Sequence, residues 1–322
     1  MPKPRLLVTR RLPEPVHAHL ADAYDVTLNP SDTPLTPDQL AAAMRDYDAL
    51  MPTITDRLGA DILVSGVRVK AIANYGAGFE HIDLDAARAA GIVVTNTPDV
   101  LTEATAELAI LLMLMAARRA GEGERELRAG GWTGWRPTHM IGRTIIGKKL
   151  GLIGFGRIAQ ATARIARDGF GMEIFYTSRR RASEEVERAL GATHVASAGE
   201  LAATVDILSL HTPGGPETRH LVDAALLSRM QPHAILVNTA RGSVIDEAAL
   251  AEALATGRIA AAGLDVFERE PAVHAALRDL NNAVLLPHLG SATIEARTAM
   301  GMRAAANLEA CFDGRDPPDR IA

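Results

Sequence analysis

Three stretches carry polar side chains that ordinary connecting loops do not need: Asn238-Thr239-Ala240-Arg241-Gly242, Asp265-Val266-Phe267-Glu268-Arg269-Glu270-Pro271 and Pro287-His288-Leu289-Gly290-Ser291-Ala292-Thr293. Each follows an apolar run that reads as a buried strand. A histidine such as His288 has a proton to give near neutral pH. Glu270, if it hydrogen-bonds the far ring nitrogen, would fix the tautomer and favour the imidazolium. Arg241 offers a fixed fork to carboxylate and carbonyl oxygens, and a positive charge where negative charge develops. The chemistry this set suits is proton transfer at a carbonyl whose neighbouring anion is held by a guanidinium. Taken singly, each residue has a plain alternative: Arg241 as a surface ion pair, Glu270 as a turn residue before proline, His288 as a packed strand-end histidine. Three such coincidences at three strand ends form a less economical account than one site.

A fourth stretch, Lys149-Leu150-Gly151-Leu152-Ile153-Gly154-Phe155-Gly156-Arg157-Ile158-Ala159, joins an apolar strand to a helical pattern running to about Asp168. Strand, glycine turn and helix start follow the order that a dinucleotide pyrophosphate needs. Gly154 can supply the tight turn, Gly156 lets backbone approach a phosphate with no Cβ in the way, and Ala159 allows close helix–strand packing. The helix start then offers free N–H groups and a positive dipole end. Glycine turns of this kind also occur for packing alone. In the NAD pattern an acidic residue ends the second strand. Here that strand ends Phe175-Tyr176-Thr177-Ser178-Arg179-Arg180-Arg181, with no carboxylate. A hydroxyl and three guanidiniums suit a 2′-phosphate, so NADP(H) is expected to be preferred, with NAD(H) still possible. The alternative for this run is a solvated basic helix start.

The elements that must position these residues read as alternating strands and helices. In the first hundred residues strands are expected at Arg5–Val8, Asp25–Leu28, Tyr47–Met51, Val69–Ala73 and Ile92–Thr95, with helices at Pro15–Ala23, from Thr36-Pro37-Asp38, and at Asp83–Ala90 before Gly91. Thr102–Arg119 is a long helix, apolar nearly all round, of the kind that lies inside a domain or an interface. Gly121–Gly147 reads as an irregular, glycine-rich arm carrying Trp132 and Trp135. Tryptophan on such an arm suggests an oligomer contact; the other reading is that both rings anchor the arm to its own subunit. Six strands follow: Leu150–Ile153, Glu173–Thr177, Ile207–His211, Ile235–Asn238, Ala260–Asp265 and Val284–Pro287, with a last helix at Thr293–Phe312. The fold class is α/β: two doubly wound, Rossmann-like domains with parallel sheets and a cleft between them.

The 322 residues suffice for two domains, and 48% hydrophobic with 23% charged residues describes a globular protein. A net charge of −5 gives no reason to expect nucleic acid or a membrane surface as partner. The single cysteine, Cys311, fits a reducing cytoplasm and reads as helix packing. Met1–Arg10 lacks a signal-peptide apolar core, and Leu108–Ala117 is too short to span a bilayer. No histidine pair has metal-ligand spacing, so no metal is expected.

The chain resembles the D-2-hydroxyacid dehydrogenase family almost end to end. The resemblance rests on Asn74-Tyr75-Gly76-Ala77-Gly78-Phe79-Glu80-His81-Ile82-Asp83, on Thr102-Glu103-Ala104-Thr105-Ala106-Glu107, on the glycine turn and on the three strand-end stretches. It implies a split order: residues 1–99, completed by the C-terminal helix within 290–322, form a substrate-binding domain, and 100–289 a dinucleotide-binding domain. It assigns the acid–base role to His288, orientation of the ring to Glu270, and carboxylate binding to Arg241. It places Ala77 and Gly78 as the backbone N–H pair for the substrate carboxylate and Met51 along the substrate pocket. Around the cofactor it implies Thr102, Gly154 through Ile158, Ser178, Arg179, Arg180, the loop His211-Thr212-Pro213 with Thr218, then Thr239, Ala240, Arg241, Asp265, His288 and Gly290. Within the family, Gly-Trp-Thr-Gly-Trp-Arg-Pro around Trp135 is similar to the NADPH-dependent glyoxylate/hydroxypyruvate reductase branch, where a tryptophan from the neighbouring subunit reaches the substrate. The resemblance therefore implies a homodimer acting on a small 2-keto acid, with domain closure about hinges near residues 99 and 289. A different 2-keto acid, or a cofactor-sensing binding protein on the same fold, are the rival readings. Phosphoglycerate dehydrogenase is disfavoured by the arginine-rich loop and the lack of an appended domain, and formate dehydrogenase by glutamate rather than glutamine at 270.

Overall fold

The computed structural model describes residues 2–322. The chain divides into two compact units, Met1–Leu101 with Ser291–Ala322, and Thr102–Gly290.

The first unit contains β1 (Arg5–Val8), α1 (Glu14–Ala23), β2 (Asp25–Leu28), α2 (Pro37–Asp46), β3 (Ala49–Met51), β4 (Ala71–Ala73), α3 (Leu84–Ala90) and β5 (Val93–Thr95). Its five strands are all parallel, in the order β2-β1-β3-β4-β5. Local chemistry explains the element ends. Thr36 and Gln39 cap α2 reciprocally ahead of Pro37, and α3 stops at Gly91 in the left-handed conformation, φ 70°. Helix Ile294–Phe312 returns to this unit. Met300, Ala304, Ala305 and Leu308 share a core with Leu6, Val8, Val16, Leu20, Met51 and Ala73. A Cβ on Gly301 would stand 2.5 Å from Val16, so glycine sets the close approach of this helix to α1.

The second unit contains α4 (Thr102–Ala117), α5 (Ala120–Arg128), β6 (Lys149–Ile153), α6 (Arg157–Phe170), β7 (Glu173–Thr177), α7 (Glu184–Leu190), β8 (Ala192–His194), α8 (Ala198–Thr204), β9 (Ile207–Leu210), α9 (Ala224–Arg229), β10 (Ile235–Asn238), α10 (Glu247–Ala255), β11 (Ala261–Leu264), α11 (Ala275–Asp279) and β12 (Ala283–Leu285). Its parallel sheet runs β12-β11-β10-β9-β6-β7-β8. The order reverses between β6 and β9, which puts the crevice of a doubly wound sheet at their carboxyl ends. Both faces carry apolar cores. One is built on α4, α6 and the residues Leu150, Leu152 and Val237; the other on Leu208, Leu236, Leu250 and Leu254.

Two expectations are corrected. The sheet has seven strands rather than six, because the three residues of β8 pair with β7. The arm after α4 is not irregular throughout. Its first part is the helix α5, tied by Arg119–Glu122 and Arg128–Glu124 ion pairs at helical spacing, which offset Gly121 and Gly123. Trp132 and Trp135 beyond it are 52% and 82% exposed. Among the described residues no helix is long and apolar enough to cross a membrane, and no cluster of three His, Cys, Asp or Glu could hold a metal.

Candidate active site

The carboxyl ends of β10, β11 and β12 gather the three polar stretches. β11 runs into Asp265, which is 1% exposed. Its two carboxylate oxygens accept from the amides of Leu289 (2.6 Å) and Gly290 (2.8 Å), and its carbonyl accepts from His288 N (2.9 Å). Thr105 closes the loop by donating to the Gly290 carbonyl at 3.1 Å. Burial raises the Asp265 carboxyl above its ordinary range, while those two amides and the charge of His288 pull it down. Held this way, His288 sits at φ 55°, a backbone conformation that a histidine adopts only where its surroundings insist.

The His288 ring pairs with a carboxylate. Its Nδ1 lies 2.8 Å from Glu270 Oε2, and each side chain is about one-third exposed (33% and 34%). The other Glu270 oxygen accepts from the Phe267 amide at 3.0 Å, which fixes the carboxylate's direction. Burial pushes the Glu270 carboxyl up, but the hydrogen bond and charge of His288, the Phe267 amide and the charge of Arg241 outweigh it, so Glu270 titrates below its ordinary value. Glu270 therefore stays ionised beside the imidazole, and Nε2 is left as the atom that can exchange a proton.

Arg241 belongs to the same cluster. Asn238, fully buried, donates to the Arg241 carbonyl and accepts from the Ala240 amide, both at 2.9 Å, and so shapes the loop after β10. Arg241 Nη1 donates to the Ala240 carbonyl at 2.8 Å. The next residue has to be glycine, since a Cβ on Gly242 would fall 1.8 Å from the Phe267 carbonyl carbon. The guanidinium loop and the Glu270 loop thus touch backbone to backbone. Buried Glu247, at the start of α10, accepts from the amides of Glu268 (2.7 Å) and His274 (3.3 Å) and braces the far side of the Glu270 loop. Nothing in the sequence pattern singled out Glu247.

At the β6–β9 reversal the glycine turn has the form a dinucleotide needs. Gly154 stands at φ 88°, and a Cβ there would lie 2.3 Å from the His211 carbonyl oxygen. Gly156 is the N-cap of α6 without a side-chain cap, and a Cβ on it would meet nothing within 4 Å. The amides of Phe155 and Gly156 donate to no protein acceptor among the described residues. Ala159 is fully buried, and Phe155 stacks on Tyr176 at 3.9 Å. Buried hydroxyls of Thr212 and Thr239, at the ends of β9 and β10, have no hydrogen-bond partner among the described residues. These orphaned groups and the open glycine turn fit a bound dinucleotide. Thr218 donates to the Pro213 carbonyl at 2.8 Å and folds the intervening loop. Burial pulls the His211 imidazole down to about 4, so it is neutral near pH 7, and its ring bonds Ser209 at 2.9 Å.

Beyond β7 the basic run divides. Arg181 is bound to Glu187 by two 2.8 Å contacts, and Tyr176 donates to the same carboxylate at 2.6 Å. Arg181 is thus a structural residue, and the expectation of three available guanidiniums is reduced to two. Ser178 donates to the Arg180 carbonyl at 2.7 Å. Arg179 pairs with Glu217 in a highly exposed contact, and Arg180 is exposed with no ion pair among the described residues.

In the first unit, Ala77 and Gly78 lie partly exposed in the turn after β4, and their amides donate to no protein acceptor among the described residues. Met51 is fully enclosed in the core with Leu6, Ala71 and Tyr75, so its side chain serves packing rather than an open surface. Thr102 is the first residue of α4.

Residues 110–290 match the model of the D-isomer specific 2-hydroxyacid dehydrogenase NAD binding domain. A glyoxylate reductase of Thermococcus onnurineus (strain NA1) is 43% identical over 323 residues, covering 99% of this chain and 96% of that protein. The chain belongs to the D-isomer specific 2-hydroxyacid dehydrogenase family. Among solved structures, the TT0316 protein from Thermus thermophilus superposes with a TM-score of 0.90 at 40% identity, covering 99% of this chain and 100% of that one. An NADPH-dependent glyoxylate/hydroxypyruvate reductase from Sinorhizobium meliloti, in complex with NADP and malonate, superposes with a TM-score of 0.84 at 35% identity over 99% and 97% of the two chains. This dehydrogenase is an NAD(P)-dependent oxidoreductase on two doubly wound α/β units. Within it, the imidazole–carboxylate pair and the guanidinium loop lie at the carboxyl ends of the cofactor-family sheet, where such sheets hold their ligands.

Proposed function

We propose that this dehydrogenase reduces a small 2-keto acid, glyoxylate or hydroxypyruvate, to the 2-hydroxy acid, with NADPH preferred over NADH. The 2.8 Å contact of His288 with Glu270, beside Arg241, carries this reading. When bound, the nicotinamide supplies a hydride to the carbonyl carbon. Arg241 holds the substrate carboxylate and draws charge onto the carbonyl oxygen. His288, as the imidazolium, delivers the proton from Nε2 to that oxygen and is left neutral with its remaining proton on Nδ1, facing ionised Glu270. Ala77 and Gly78 give the carboxylate two further N–H donors. Residues 1–99 with the helix within 290–322 act as the substrate-binding part, and 100–289 hold the dinucleotide.

The cofactor preference rests on the strand end after β7, which has Ser178, Arg179 and Arg180 and no carboxylate. Highly exposed Trp135, with Trp132, Leu127 and Ile146 also exposed, supports a homodimer in which this arm contacts the second copy and Trp135 reaches its substrate. The single free thiol, Cys311, suits a reducing, cytoplasmic setting.

Initial rates with a panel of 2-keto acids and both cofactors test the proposal. Glyoxylate or hydroxypyruvate should give the highest kcat/KM, and NADPH should exceed NADH by about tenfold or more, the worth of one charge-assisted pair. Equal or better efficiency with NADH removes the cofactor assignment, and absence of turnover with every 2-keto acid removes the reaction.

A further inference from the structure

The Ala77 and Gly78 amides are aimed by the side chains of Asn74 and Asn96. In a trans peptide the carbonyl and the following N–H point in opposite directions, so whatever holds one carbonyl aims the next amide. The Gly76 carbonyl accepts from the Thr97 amide and from Asn74 Nδ2, both at 3.0 Å, and this turns the Ala77 N–H the other way. The Ala77 carbonyl accepts from Asn96 Nδ2 at 2.8 Å, which does the same for the Gly78 N–H. Asn74 Nδ2 also reaches the Gly78 carbonyl at 2.8 Å.

The two asparagines are themselves fixed. Asn74 is fully buried; its amide donates to the Thr95 carbonyl at 2.9 Å, and its Oδ1 faces His81 Nε2 at 3.0 Å. Asn96 is 9% exposed; its amide donates to the Asp319 carbonyl at 3.2 Å, and Asn307 donates to its carbonyl at 3.2 Å. Asp319 in turn holds Arg303 and Asn307 on the C-terminal helix. Three successive carbonyls, of Gly76, Ala77 and Gly78, are therefore tied back by side-chain amides, while the two N–H groups between them are left without protein acceptors among the described residues. We infer that Asn74 and Asn96 are positioning residues that preset an uncharged, two-amide cradle for a carboxylate. The inference rests on the proposed 2-keto acid reading for the identity of the anion.

Asn96→Leu keeps the side chain's size and removes the donor; Asn96→Ala is the second variant if the first folds poorly. The probe is oxamate, an unreactive carboxylate shaped like a 2-keto acid, titrated calorimetrically into the protein saturated with NADPH. The expected result is oxamate binding weakened by about tenfold, the worth of roughly one hydrogen bond to a charged group, with a matching rise in KM for glyoxylate. kcat, the Kd for NADPH and the pH of the kcat/KM optimum should stay where they are, which a general loosening of the fold would not allow. Unchanged oxamate affinity, equal loss of oxamate and NADPH affinity, or no oxamate binding by the unsubstituted protein would each overturn the inference. Oxamate binding by a chain that reduces no 2-keto acid would leave the cradle standing and sink the reaction instead.

Discussion

The molecule contains two parallel sheets with the same local problem, a first strand that must pass into a helix at the point where the strand order reverses. They solve it in opposite ways. After β1 three of the amides are consumed within the protein: Thr9 donates to the Met51 carbonyl at 3.2 Å, Arg11 to Asp32 at 2.9 Å and Leu12 to His17 at 2.9 Å. Asn29 and Asp56 take further groups of Thr9, and α1 begins behind Pro13. After β6 a left-handed glycine, a helix start without a side-chain cap and the amides of Phe155 and Gly156, which have no protein acceptor among the described residues, leave donors unused. Architecture is common to both; a first turn with amides left for an anion is not. It follows from a few residues that refrain from satisfying their own backbone.

The sharpest way to break this contrast is to remove the proton chemistry proposed for His288 of the second unit. His288→Ala should lower kcat by about 10²–10⁴-fold, the usual worth of a general acid, with NADPH affinity nearly unchanged. Comparable loss of both would make His288 a cofactor-loop residue. Next in size, Gly154→Ala puts a Cβ 2.3 Å from the His211 carbonyl at φ 88°. About 1–3 kcal/mol of backbone strain should weaken NADPH binding by about tenfold to a hundredfold, read by nucleotide fluorescence. Arg11→Ala, in the matching turn of the first unit, should leave that affinity alone; a loss there would erase the distinction between the two turns.

The smallest effect concerns the arm of the basic run that does not face a ligand. Hydrogen bonds from Arg181 and Tyr176 hold Glu187 down at about 2, below its ordinary 4.5. A carboxyl depressed on folding stabilises the fold above its unfolded pKa and loses that contribution as the pH falls through the folded value. Glu187→Gln should therefore melt slightly below the unsubstituted protein near pH 7, and the gap should close between about pH 4.5 and pH 2 in thermal scans. A gap that persists at pH 2 would mean packing rather than charge holds Arg181 away from the cofactor.

Much of this was legible from the chain alone because it depends on periodicity and on special residues. Buried strands such as Ile207–Leu210 are short, mostly apolar runs, and Gly154 and Pro37 mark turns and helix starts without help from tertiary contacts. What escaped was short or relational. Strand β8 has three residues, too few to show a period. Helix α5 was hidden by Gly121 and Gly123, although its Arg–Glu spacing was visible. Arg181 looked interchangeable with Arg179 until Glu187 was found beside it. Met51 was placed at a pocket by family likeness, whereas its side chain is enclosed in the core. Asn96 carried no signal, and Asn74 stood in a family stretch without a role, since a buried asparagine that orients a neighbour's amide looks, in one dimension, like any turn residue.

The contact of Gly242 with the Phe267 backbone has a bearing on attempts to redesign the enzyme. With no room for even a methyl group between them, the segments bearing Arg241 and Glu270 behave as one welded part. Neither can be lengthened, shifted or exchanged with a relative's version unless the other travels with it. New substrate preferences are therefore better sought among residues outside that weld, by grafting the two segments together or not at all.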